Sequence, residues 1–146
     1  VFEWSPGDAG FTLIEGTELP ANNGIEVSGD GREIYVASSG LQTIVAFSHT
    51  NPARQLRTTR PLPFTPDNVH LGADGRLLTA GMANDVPECG GAPGPEHDIP
   101  RLAACPRPTI AVAIDPGDYL FGNSHARRKV DLQPDATRFD DHKRRL

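Results

Sequence analysis

Two short stretches hold the residues best suited to chemistry, A-N-N-G (Ala21–Gly24) and P-D-N (Pro66–Asn68). Asn23 and Asp67 stand 44 residues apart, and the sequence around one returns around the other. An amide oxygen and a carboxylate are hard donors, of the kind that Ca²⁺ gathers in shells of about 6–8 oxygens. Asn68 follows Asp67 directly. The same residues are ordinary turn formers, because Asn and Asp side chains bond readily to nearby backbone. Whether they do more depends on what places them together.

The placing element is a repeated segment. IEVSGDGREIYVAS (Ile25–Ser38) recurs as VHLGADGRLLTAGM (Val69–Met82), again displaced by 44 residues. Each copy alternates apolar and polar residues, passes through D-G-R, and continues into a second apolar run. D-G between such runs predicts a tight hairpin with positive φ at both central residues. A hairpin at this spacing fits the period of about 40–50 residues of a four-stranded β-propeller blade. In that architecture the first strand of each blade lines the central channel, so Asn23 and Asp67 would converge on one axis. The next displacement of 44 falls on Ala111, which adds no ligand.

The rest of the chain is read around these copies. VFEW (Val1–Trp4) and FTLI (Phe11–Ile14) form the last hairpin of a preceding unit. Three strands follow in Ile25–Val27, Glu33–Ala37 and Thr43–Phe47, and roughly Arg54–Thr59 supplies an outer edge strand. NDVPECGGAPGPEHDIPRLAACPRP is a Gly- and Pro-rich surface insertion, about residues 83–108. TIAVAIDPGDYLFG (Thr109–Gly122) is expected to be a third inner hairpin turning at D-P-G-D. Residues 123–146 are densely charged and lack alternation, so they are expected to be disordered or weakly helical.

Composition narrows the function classes. Residues 1–120 hold 15 Asp/Glu against 7 Arg, while residues 121–146 hold 4 Asp against 7 Lys/Arg. An acidic body argues against nucleic acid or an anionic membrane as the main partner. No run approaches the roughly 18 apolar residues of a membrane-spanning helix. With 146 residues, the chain has room for about three blades, so it is read as part of a larger protein whose upstream blades would close the ring. Cys89 and Cys105 flank 15 residues of the insertion. A disulfide, two reduced thiols, or a zinc site with His97 and Asp98 are the alternatives, and the first would point to an extracytoplasmic or secreted setting.

ANNGIEVSGDGREIYVASSG followed by PDNVHLGADGRLLTAGM resembles the calcium-dependent six-bladed propellers of the SMP-30/gluconolactonase, paraoxonase and strictosidine-synthase-like superfamily. The likeness covers about residues 1–120, includes CPRPTIAVAIDP, and fades in the tail. It implies an all-β partial propeller over residues 1–122. It also implies Ca²⁺ as cofactor, with Asn23, Asp67 and Asn68 as metal ligands; Asn22, one position off the repeat, is the weaker substitute. The activity implied is hydrolysis of a lactone or related ester by the whole protein, with the fragment alone inactive. A non-catalytic binding or scaffold module is the alternative. The family's remaining ligands and proton carriers lie in blades absent from this chain. Three protein ligands would leave about half a calcium shell to water. His70, two residues past Asn68, is the nearest base by sequence, although a strand-surface histidine is the commoner identity.

Overall fold

The computed structural model describes residues 1–89 and 104–115. Alternation of apolar residues across short strands yields three antiparallel sheets. Sheet 1 pairs β1 (Phe2–Glu3) with β2 (Thr12–Leu13). Sheet 2 has the order β3 (Asn22–Val27), β4 (Glu33–Ser38), β5 (Thr43–Ser48), β6 (Gln55–Thr58). Sheet 3 has the order β7 (Phe64–Leu71), β8 (Leu77–Ala83), β9 (Thr109–Ile114). A short 3-10 turn, Pro87–Cys89, follows β8.

Sheet 2 is the middle layer. Ile34, Val36, Val45 and Phe47 pack with Ile14 and Ala53, on the side where sheet 1 lies. The alternate residues Tyr35, Ala37, Ile44 and Ala46 pack with Val69, Leu77 and Ile114 of sheet 3. Because both faces are covered, β4 and β5 read as nearly continuous apolar runs rather than half-polar strands. Edge strand β6 is polar. Its Arg57 pairs with Glu33, which also accepts a 2.9 Å hydrogen bond from the Tyr35 hydroxyl.

The two D-G-R hairpins form, but with a different turn. Positive φ occurs at Gly31 (72°) and Gly75 (80°), and neither Asp30 nor Asp74 shares it. Gly31 N donates to Ser28 O at 2.8 Å and Gly75 N to Gly72 O at 2.9 Å, so each glycine ends a four-residue turn. Asp30 and Asp74 accept from the backbone N–H of Arg32 and Arg76, both at 3.1 Å. That local bond, available to Asp two residues upstream, replaces the tight two-residue turn expected from D-G. The loops also differ in length. Val27 pairs with Ile34 across six residues, whereas Leu71 pairs with Leu77 across five.

Thr109–Ile114 is the third strand of sheet 3, running from Met82↔Thr109 to Leu77↔Ile114, and not the opening of a third inner hairpin. It is the counterpart of β5, delayed in sequence by the insertion. Ala111 therefore pairs with Ala80 and does not occupy the place of Asn23 or Asp67. Cys89 and Cys105 are joined in a disulfide, their Cα atoms 5.6 Å apart. With both sulfurs in one bond, neither is a thiolate ligand for zinc. The D-P-G-D turn, the centre of the insertion and the charged tail lie outside the described residues.

Candidate functional site

Both candidate ligand positions sit on a β-bulge. In the β3–β4 pair the register passes from Asn22↔Ser38 to Ile25↔Val36, so Asn23 and Gly24 together oppose one residue. In the β7–β8 pair it passes from Pro66↔Gly81 to Val69↔Thr79, so Asp67 and Asn68 do the same. A bulge kinks the strand and re-aims its side chains. Here the same device recurs at the same place in both copies of the repeat.

The two bulges lie against one another. A Cβ added to Gly24 would sit 2.6 Å from Asn68 Cα, from Asp67 O and from Val69 N. Only a residue without a side chain lets the two backbones approach this closely. The N-G pair thus has a structural cause: glycine brings the strands together, and the asparagine before it is held beside Asp67 and Asn68.

Hydrogen bonds orient the first of these side chains. Asn23 Nδ2 donates to Ser39 Oγ at 3.3 Å, and Ser39 Oγ donates onward to Pro66 O at 2.7 Å. The amide nitrogen is thereby engaged, and Oδ1 is left as the acceptor. Asn22 turns elsewhere, donating from Nδ2 to Thr17 O at 3.0 Å, so the weaker substitute does not join the group. Asn68 is positioned through its backbone, where its carbonyl accepts from Thr79 Oγ1 at 2.7 Å. Among the described residues, the side chains of Asp67 and Asn68 make no hydrogen bond or ion pair, and both are exposed.

Asn23, Asp67, Asn68 and His70 line one end of an open cleft of about 950 Å³. Its floor is the outer face of sheet 3, including Leu78, Ala80 and Ala111. His70 Nδ1 lies 3.8 Å from Glu26 Oε2, and the imidazole is mostly exposed. Glu26 spans the two sheets, since its Oε2 accepts from Leu71 N at 3.0 Å. That backbone N–H, with a second from Val27, holds the Glu26 carboxyl below its usual value, and His70 adds a smaller push in the same direction.

The three predicted ligand residues are thus collected at one cleft, in two adjacent strands of different sheets. Ser39 was not legible in advance, because its counterpart is Ala83 in the 44-residue repeat and Met82 by strand register, and neither draws attention to it. Its one signal was the S-S-G that ends β4. Among the described residues, no group of three or more His, Cys, Asp or Glu side chains is placed to hold a metal. Two of the three gathered donors are amides, and the donor set of one carboxylate and two amide oxygens is chemically suited to a hard cation such as Ca²⁺ rather than to zinc or copper.

No protein-family model matches the chain, and no curated protein matches it either.

Proposed function

We propose that the chain is part of a calcium-dependent hydrolase of lactones or related esters, its sheets being successive blades of a propeller whose other blades lie outside this sequence. The observation that carries this reading is the pair of facing bulges, which present Asn23 Oδ1, the Asp67 carboxylate and the Asn68 amide at one end of an open cleft. The sequence resemblance supplies the reaction class, and the donor chemistry is consistent with it.

Each residue has a separable task. Asp67 would supply the charge that attracts a cation, and Asn23 and Asn68 would supply neutral oxygens. Ser39 engages the Asn23 amide nitrogen, which leaves the amide oxygen as the donor for a cation. When bound there, Ca²⁺ would polarise a substrate carbonyl and stabilise the negative charge that develops on its oxygen. His70 is within the cleft and paired loosely with Glu26, but no geometry on this chain assigns it as a base, and the base is sought in the missing blades.

A non-catalytic binding module is the competing reading. It is favoured by one observation: among the described residues lining the cleft, Asp67 is the sole carboxylate.

Thermal unfolding of the whole chain with excess Ca²⁺, with chelator, and again after Asp67→Ala tests the assignment. Binding to the native state alone raises stability by about 2.7 kcal/mol at 100 times Kd. A calcium-dependent rise that disappears in Asp67→Ala is expected. A cooperative transition indifferent to calcium would remove the ligand assignment and leave the binding-module reading.

A further inference from the structure

The outer face of sheet 3 has an exact positional counterpart that is already covered. Superposing the registers places Tyr35 on Leu78, Ala37 on Ala80, Ile44 on Ala111 and Ala46 on Ala113. In sheet 2 these four residues are 0–5% exposed, because sheet 3 packs over them. In sheet 3 Leu78 is 43% and neighbouring Met82 41% exposed, and Ala111 and Ala113 are exposed as well. The face therefore has the small, apolar, uncharged character of one that receives another sheet.

The opposite end of the stack offers such a sheet. The pairing Phe2↔Leu13 puts these residues on one side of sheet 1, and strand alternation adds Trp4 and Phe11 to that side. The other side, with Ile14, is the one that packs on sheet 2. Exposure is 66% at Phe2, 50% at Trp4, 77% at Phe11 and 37% at Leu13. Four large apolar side chains thus face away from the body at one end, and a small-residue apolar face is open at the other. Bulky groups against a shallow alanine-rich surface are complementary in shape, and the ionisable groups of the sheet 3 face, Asp67 and His70 on β7 and Arg76 and Asp115 at the strand ends, stand at its margins.

We propose that sheet 1 of one copy of this chain docks on sheet 3 of a second copy, head to tail, continuing the order in which the three sheets already stack. Sheet 1 covers β4 and β5 of its own sheet 2. Docked on a second copy it covers the equivalent strands β8 and β9, and it leaves β7 with Asn68 and His70 open at the cleft mouth. A head-to-tail contact closes into a ring when the rotation between copies allows it and otherwise extends into a chain. The docking depends on the sheet faces alone and does not rest on the proposed function: it holds whether or not the bulge residues carry a metal, and the further blades of the proposed propeller would compete for the same two faces.

Sedimentation of the whole chain from about 1 to 100 µM, the range in which a contact of micromolar strength becomes populated, is the test. Self-association of the wild-type chain is expected. Leu78→Glu and Phe11→Glu each place a carboxylate in the contact while altering only exposed positions, and each should weaken association about 100-fold or more. An equimolar mixture of the two variants should associate again, because the intact sheet 3 of one meets the intact sheet 1 of the other. Far-UV circular dichroism of both variants should match the wild type. A wild-type chain that stays monomeric throughout would overturn the proposal, and point to other polypeptide sequence as the occupant. So would association abolished by Leu78→Glu but untouched by Phe11→Glu, since that marks a sheet 3 to sheet 3 contact, or a mixture that fails to recover.

Discussion

Ile25 and Val69 hold the same place in two copies of one hairpin, yet Ile25 is 48% exposed and Val69 is 1% exposed. The difference lies outside the hairpins. Val69 packs on β4 and β5 of the four-stranded sheet 2, whereas Ile25 looks toward a sheet of only two strands, whose packing reaches β4 and β5 and leaves Ile25 of β3 exposed. The reverse holds on the alternate face, where Tyr35 is covered and its counterpart Leu78 is not. Local sequence makes the hairpin in both cases. Burial, and hence most of the stabilisation, is decided by the neighbour.

What the two copies share most closely is the contact between their bulges, and breaking it should have the largest effect. Gly24→Val drives a branched side chain into backbone atoms 2.6 Å from its Cβ. We expect a loss of about 3 kcal/mol or more in urea unfolding. Gly29→Ala, whose Cβ would meet only Leu71 Cδ2 at 3.9 Å, is the matched control and should be close to neutral.

Ser39 marks where the copies diverge, since it bridges Asn23 to Pro66 and has Met82 as its counterpart. Ser39→Ala leaves the buried Pro66 carbonyl without this donor, a change worth about 1–3 kcal/mol. It should also reduce any calcium-induced rise in melting temperature, because Asn23 loses the bond that orients its amide. Met82→Ala, in the equivalent position, should leave that rise unchanged.

The turns test whether loop length matters. Gly31 and Gly75 both have positive φ with open space around the missing Cβ, so alanine at either meets only the backbone penalty. About 1 kcal/mol is expected at each. Equal losses would show that the extra residue in the first loop is energetically silent; a larger loss at one would show that it is not.

The smallest expected effect is a pH dependence. The Leu71 N–H lowers the Glu26 pKa in the folded chain relative to its ordinary value of 4.5. A depressed carboxyl contributes stability above its unfolded pKa, and that contribution is lost as pH falls through the folded value. Glu26→Gln should therefore flatten part of the decline in melting temperature below about pH 4.5. Asp30 and Asp74, also lowered by local hydrogen bonds, remain as the background slope.

The strands around D-G-R were legible because both hairpins follow a period-two pattern, and the polar stretch around Arg57 was legible as an edge because unpaired backbone and Arg side chains are tolerated there. The positions of Asn23 and Asp67 were legible because the bulge recurs at constant spacing. Other features were not. Alternation in Thr109–Ile114 announces a strand but not its rank within a sheet. The turn type was misread because D-G allows two backbone solutions, and the Asp–N–H bond selects between them. Pairing of the cysteines was one of three alternatives, since a gap of 15 residues fits a disulfide without requiring one. Ser39 was invisible because its role depends on a carbonyl in the next sheet.

The disulfide changes how β9 is tethered. Along the backbone, β9 begins 26 positions after β8 ends, from Ala83 to Thr109. Through the sulfur bridge the path is only Ala83 to Cys89 and Cys105 to Thr109, and Arg107 shortens it further by donating to Ala83 O and Asn84 O. The bridge thus joins the two ends of the 15 residues that separate the cysteines in sequence. Their length and composition can drift without shifting the register of the strand that follows, which makes this stretch a port where new sequence can be added at little risk to the scaffold.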